Sequence, residues 1–280
     1  MSKIINGKKI ALDIKNELKE EVSKLKDKPS LVVISVGDNE ASKVYVGQKE
    51  KCANYIGIKY EHLHYDKISD DELVLQIDKL NKNHDVHGII VQLPLPKGMN
   101  EQRVVNTILP SKDVDGLTYL NAGLLLNNED CLTSCTPSGI MELLKRSNVP
   151  ISGSNAVVIG RSILVGKPMI NLLLNANATV TACHSKTKDL AKITKKADIL
   201  VVAIGKKHFI TKDMVKRGSV VIDVGINRED GKLYGDVNFD DVYAKVKKIT
   251  PVPGGVGPMT VVMLMKNVLK AYDIQKKNLK

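Results

Sequence analysis

The chain has 280 residues, 43% of them apolar and 26% charged, which gives it material for a full core in one large domain or two smaller ones, two being the expectation. No apolar run is long enough to span a bilayer, the N-terminal MSKIINGKKI lacks the apolar stretch of a secretory signal, and four cysteines make no disulfide framework; the expectation is a reduced, cytoplasmic protein without a membrane partner. The net charge of +11 is spread along the chain rather than interleaved with aromatics, which are 4% with no Trp, so it argues for steering of small anions or a lysine-rich solvated surface and against a nucleic-acid partner.

Ile10, Ile14, Leu18, Val22 and Leu25 recur at helical spacing and predict a first amphipathic helix. Residues 31–36 are an apolar run broken only by Ser35, the pattern of a buried parallel strand. A helix is predicted over 42–56 and a strand over 58–63, and Ser69-Asp70-Asp71-Glu72 is a capping box that opens the next helix. His62 and His64 fall on one face of that strand, while His84 and His87 flank its neighbour, as packed or surface side chains. HGIIVQLPLP, residues 87–96, predicts a buried strand closed by Pro94 and Pro96, which cannot continue a ladder. Cys131 and Cys135 have C-x-x-x-C spacing but no further ligands to complete a set of four, so no metal is expected. Thr136 and Pro137 read as the N-cap and first residue of a helix through Lys145.

AVVIGRSILVGKP, residues 156–168, reads as strand, glycine turn, helix, a place where backbone N–H groups and the helix dipole favour an anion. Its glycines fit neither familiar nucleotide pattern. Ser162 stands where G-x-G-x-x-G needs its second glycine, five residues separate Gly160 from Gly166, and Pro168 follows Lys167; an ordinary strand-to-helix turn is the alternative. Short β-rich runs at 179–182, 199–204 and 219–224 alternate with helical segments, and PVPGGVGPMT, residues 251–260, leads into a last apolar-faced helix. The fold class is therefore α/β: two α/β lobes with a cleft between them, the second a Rossmann-like doubly wound parallel sheet. The lobes are expected over 1–140 and 141–260, with 261–280 packing back on the first.

Several polar residues fall where strands of such sheets end, which is where ligands bind. Gln92 terminates the third strand, as a cap or as a ligand group. Tyr45 and Lys49 lie four apart on one helix face: a ring to stack and an amine whose pKa burial would lower, or a half-buried Tyr beside a solvated Lys. Asp113 and Asp115 in KDVDG are carboxylates for acid–base work or for a heterocycle edge, or an Asx-turn. PVPGGVGPMT is stiff at its prolines and bare at its glycines, suited to a flat ligand or to a hinge.

YVGQK (45–49), VQLPLP (91–96), KDVDGL (112–117), GRSILVGKP (160–168), CHSKT (183–187), DVGIN (223–227) and PVPGGVGPMT occur together and in order. Over nearly its whole length the chain resembles the bifunctional methylenetetrahydrofolate dehydrogenase/methenyltetrahydrofolate cyclohydrolase family. The resemblance implies that Lys49 is the catalytic lysine, Gln92 its hydrogen-bonding partner, Tyr45 the ring on the folate and Asp115 the carboxylate holding the pterin. It implies folate contacts at Pro253, Gly254, Gly255 and Val256, and dinucleotide contacts at Gly160, Arg161, Ser162, Ser185 and Ile226. Arg161 and Ser185 resemble the pair that accepts a 2′-phosphate, favouring NADP over NAD. The implied substrates are one-carbon tetrahydrofolate derivatives, with or without a polyglutamate tail, and the implied assembly is a homodimer through the nucleotide lobe. A relative with one activity, or a basic nucleic-acid-binding module, is the alternative.

Overall fold

The computed structural model describes residues 2–278 and divides into two compact units, residues 2–12 with 136–260 and residues 13–135 with 261–278. α1 (Gly7–Ser23) buries Ile14, Leu18 and Val22 along one stripe, and Leu25 lies past its end. Residues 13–135 then alternate strand and helix: β1 (Ser30–Val36), α2 (Glu40–Ile56), β2 (Lys59–Tyr65), α3 (Asp70–Lys82) and β3 (Gly88–Val91). The strands are parallel in the order β2-β1-β3. Since β3 lies across β1 from β2, the chain reverses its direction of winding between β1 and β3. In open parallel sheets this switch point leaves a crevice at the carboxyl ends of the strands.

β1 is apolar from Leu31 to Ile34 because both of its faces are covered, and its buried Ser35 meets the rings of His62 and His64. Val32, Ile34 and Val36 pack with Leu73 and Ile77 of α3 and with Ile89 and Val91 of β3. The capping box forms as predicted: Ser69 Oγ accepts from Glu72 N at 3.3 Å and Glu72 Oε2 accepts from Ser69 N at 3.0 Å. α4 (Glu101–Thr107) and α5 (Tyr119–Leu126) follow.

The other unit runs through α6 (Cys135–Arg146), β4 (Asn155–Ile159), α7 (Gly166–Asn175), β5 (Thr179–Cys183), α8 (Leu190–Thr194), β6 (Ile199–Val202) and β7 (Val220–Asp223). A hairpin of β8 (Asn227–Glu229) and β9 (Lys232–Tyr234), then α9 (Phe239–Tyr243) and β10 (Lys248–Ile249), complete it, and α10 (Gly257–Asn278) ends the described chain. α6 starts one residue before the predicted cap, so Thr136 is helical and its hydroxyl instead meets Thr260 Oγ1 at 2.9 Å. The five-stranded sheet is parallel in the order β10-β7-β6-β4-β5, with its switch point between β4 and β6. Its core joins Val157, Ile159, Leu200, Val202 and Val221 to Val237, Val242 and Ile249. Among the described residues no helix is long and apolar enough to cross a membrane, and no group of three or more His, Cys, Asp or Glu is placed to hold a metal ion.

Candidate functional site

In the unit of residues 13–135 and 261–278, α2 brings Lys49 to the residue that follows β3. Lys49 Nζ donates to Gln92 Oε1 at 2.7 Å. Gln92 cannot turn its amide round, because its own Nε2 donates to Leu93 O at 2.8 Å, which leaves the oxygen facing the lysine. Burial holds the Lys49 ammonium below the usual lysine range, with Asp115 and Cys135 pulling the other way. Burial likewise pushes the Asp115 carboxyl up, Lys49 opposing, and holds the Cys135 thiol well above its ordinary range. The result is a half-buried amine whose charged form is disfavoured, oriented by an amide and faced by one carboxyl. Tyr45 stands one helical turn before Lys49 on α2 as an exposed residue, able to stack on a ligand.

The two carboxylates of KDVDG part company. Asp113 is buried and accepts from Leu117 N, Thr118 N, Thr118 Oγ1 and Asn121 Nδ2 at 2.7–3.1 Å, so it closes the turn into α5. Asp115 alone is left for the lysine. Cys135, read from sequence only as half of an incomplete metal pair, is brought to this cluster by the start of α6; nothing in its spacing signals that. A cleft of about 440 Å³ at the carboxyl ends of the same strands is lined by Val36, Asp66, Ile68, Leu95 and Met99 among others, and neither Lys49 nor Asp115 contributes to it.

In the unit of residues 2–12 and 136–260, Gly160 ends β4 at φ +128°, and a Cβ there would sit 2.3 Å from Ala203 O, at the end of neighbouring β6. A Cβ on Gly166 would sit 2.4 Å from Gly160 O, so α7 starts hard against the turn. These two absences of a side chain leave the backbone bare at the switch point, which suits a pyrophosphate. The Ser162 hydroxyl accepts from Val165 N at 3.2 Å and Gly166 N at 3.3 Å, shaping the turn. Ile159 and Cys183 are register partners on β4 and β5, so Arg161 and Ser185, each two residues further on, leave adjacent strand ends side by side, both exposed. Ile226, beyond β7, is 49% exposed.

Two buried aspartates that the sequence reading passed over hold these loops. Asp236 accepts from Ile204 N, Gly205 N and Lys206 N at 2.7–3.0 Å, and Asp223 from Gly225 N, Asp236 N and Val237 N at 2.9–3.2 Å. In the segment 251–260, Gly254 (φ +106°) accepts from Lys8 N through its carbonyl at 3.1 Å, and a Cβ on Gly7 would meet Gly255 O at 1.8 Å. Gly255 is therefore packed against Gly7 at the start of α1 and against Thr250; Val256 is buried and Pro253 is exposed.

Residues 5–115 match the family described as tetrahydrofolate dehydrogenase/cyclohydrolase, catalytic domain, and residues 134–276 match its NAD(P)-binding domain. The chain is 52% identical over 277 residues to the bifunctional protein FolD of Streptococcus thermophilus, covering 97% of this chain and 98% of that one. It superposes on the FolD methylenetetrahydrofolate dehydrogenase/cyclohydrolase of Campylobacter jejuni with a TM-score of 0.95 at 46% identity, over 97% and 98% of the two chains. It superposes on the Trypanosoma brucei N5,N10-methylenetetrahydrofolate dehydrogenase-cyclohydrolase, a complex with NADP and inhibitor, with a TM-score of 0.91 at 37% identity, over 99% and 98%. The chain belongs to the tetrahydrofolate dehydrogenase/cyclohydrolase family.

Proposed function

We propose that this protein oxidises 5,10-methylenetetrahydrofolate with NADP and hydrolyses the methenyl product to 10-formyltetrahydrofolate. The observation that carries the reading is Lys49, oriented by Gln92, its charged form disfavoured by burial, with Asp115 beside it. The methenyl product is a cation, so an ammonium close by would oppose its formation and its binding, while a neutral amine does not. Lys49 then takes a proton from the attacking water and returns it to the departing ring nitrogen, with Gln92 holding its nitrogen in place. Asp115 holds the heterocycle through its N–H edge, and Tyr45 stacks on the flat part of the substrate.

Bound NADP supplies a hydride acceptor. The bare backbone at Gly160 and Gly166 and the exposed Arg161, Ser185 and Ile226 fit that group, with Arg161 and Ser185 holding the 2′-phosphate that distinguishes NADP from NAD. We assign folate chemistry to residues 13–135 with the last helix and nucleotide binding to the remainder. The reading includes a cytoplasmic homodimer, which the edge position of β5 in its sheet supports, and substrates with mono- or polyglutamate tails.

Lys49→Met tests the assignment. Hydrolysis of 5,10-methenyltetrahydrofolate is expected to fall at least about 100-fold, while NADP reduction with methylenetetrahydrofolate, which needs chiefly positioning, is spared more. Near-normal hydrolysis in that variant overturns the role of Lys49. Arg161→Ala is expected to raise KM for NADP and leave KM for NAD nearly unchanged; equal effects on both remove the 2′-phosphate assignment.

A further inference from the structure

Asn267 lies on α10 with 6% of its surface exposed. Its Nδ2 donates to Val114 O at 2.9 Å and to Thr133 O at 2.8 Å, and stands 3.7 Å from Cys135 Sγ. A carboxamide nitrogen has two hydrogens, so the two carbonyls take both. The acceptors lie on two segments 19 positions apart and more than 130 from Asn267: Val114 immediately precedes Asp115, and Thr133 stands two before Cys135. The Cys135 thiol adds a bond to the same Val114 O at 3.4 Å. The two segments touch without slack, since a Cβ on Gly116 would fall 2.4 Å from Thr133 C and 2.6 Å from Ser134 N. Asn267 is the donor common to both.

We propose that Asn267 is a positioning residue for the reaction, fixing where the Asp115 carboxyl stands beside Lys49 by holding Val114 and Thr133 together. This rests on the roles given above to Asp115 and Lys49; Asn267 itself touches neither substrate nor cofactor. α10 also holds the far end of the loop, through Gln275 Nε2, which donates to Ser111 O at 3.0 Å and His87 O at 2.8 Å. Gln275 offers a control: the same kind of side chain on the same helix, giving two bonds to carbonyls, one residue type removed from the other only in its distance from Asp115.

The experiment compares wild type, Asn267→Leu, Asn267→Ser and Gln275→Leu for methenyltetrahydrofolate hydrolysis, methylenetetrahydrofolate oxidation, NADP affinity and melting temperature. A displacement near 1 Å at such a site costs about 100-fold. Asn267→Leu is expected to raise folate KM and to lower kcat for hydrolysis by about 10- to 100-fold, with NADP affinity within about twofold as the sign of a folded sample. Lys49 is faced by Asp115 and Cys135, which favour its charged form. Moving Asp115 away therefore shifts the rising limb of the hydrolysis pH profile to lower pH. Asn267→Ser, keeping one donor, falls between, and it carries the comparison if the leucine variant does not bind NADP. Gln275→Leu lowers the melting temperature and leaves folate KM and the pH limb unchanged. A folded Asn267 variant with wild-type KM, kcat and pH limb overturns the proposal, as do equal folate KM shifts in the Asn267 and Gln275 variants. If wild type itself hydrolyses no methenyltetrahydrofolate, the reading of the site falls and this inference with it, a result distinct from an active wild type beside an unaffected variant.

Discussion

A lysine works as a base only in the fraction of molecules in which it is neutral, and Lys49 gains that fraction from burial, not from a cationic neighbour. The sign of the pH dependence follows: hydrolysis rises with pH through a lowered Lys49 pKa and then flattens. Arginine keeps its proton throughout that range, so Lys49→Arg is expected to lose hydrolysis as completely as Lys49→Met, although it keeps the charge. A steady-state pH profile of both variants checks this, and a surviving rising limb in the arginine variant would show that the base is another group. Helix period put Tyr45 and Lys49 on one face and the apolar run put Gln92 at a strand end, but those patterns fitted a solvated Lys and a capping Gln as well, and only the resemblance gave them roles. Asp115 was not separable from Asp113 on those grounds. What divides them is that Asp113 finds Thr118 and Asn121 at the start of α5, a helix whose contacts no local pattern encodes. Asn267 was invisible for the same reason, its acceptors lying more than 130 positions away.

Among the elements, the buried strands were the most readable. β1, β3, β4 and β6 are covered on both faces and so carry near-continuous apolar runs. The β8–β9 hairpin carries one local signal: Asp230 and Gly231, both at positive φ (50° and 72°), are the two-residue turn that Asp-Gly favours. Its strands are three residues each and largely exposed, so no hydrophobic alternation flanks the turn to mark it. The glycine turn after β4 has neither familiar nucleotide spacing, yet its physics is that of the ordinary fingerprint, with Gly160 beside β6 and Gly166 letting the helix close on the turn. Gly160→Ala faces both a φ of +128° and a Cβ 2.3 Å from Ala203 O. It is expected to weaken NADP binding more than folate binding, which calorimetric titration of each ligand would show. At the start of α3, Ser69→Ala removes the hydroxyl of the capping box and is expected to cost about 1 kcal/mol, read from the midpoint of urea unfolding.

For the whole molecule, mild acid acts through two buried groups, His87 and Asp223, with opposite signs. His87, with its side chain against Tyr272 and its Nδ1 accepting from Ser30 N at 3.2 Å, is held at a pKa of about 4 by burial and by Lys276, Lys112 and Lys59. The unfolded chain binds that proton near pH 6.5, so stability present above 6.5 is lost as pH falls toward 4, by up to about 3 kcal/mol. Asp223 behaves in reverse. Burial raises its carboxyl to about 7 despite three backbone N–H groups that favour its charge. The folded form thus binds a proton before the unfolded chain does, and stability is gained as pH falls from 7 toward the ordinary carboxylate range. His87 belongs to residues 13–135 and Asp223 to residues 136–260, so the two effects fall on different units. Amide hydrogen exchange at pH 7.5 and 5.0, corrected for the intrinsic rates, should show β1 and β3 losing protection while β6 and β7 keep or gain it. His87→Phe, which preserves the contact with Tyr272 but has no proton to bind, is expected to flatten the response of β1 and β3 alone, at the cost of the bond from Ser30. Parallel losses of protection in both units, or an acid response of β1 and β3 unchanged in His87→Phe, would mean that general charge repulsion in this cationic chain outweighs both buried groups.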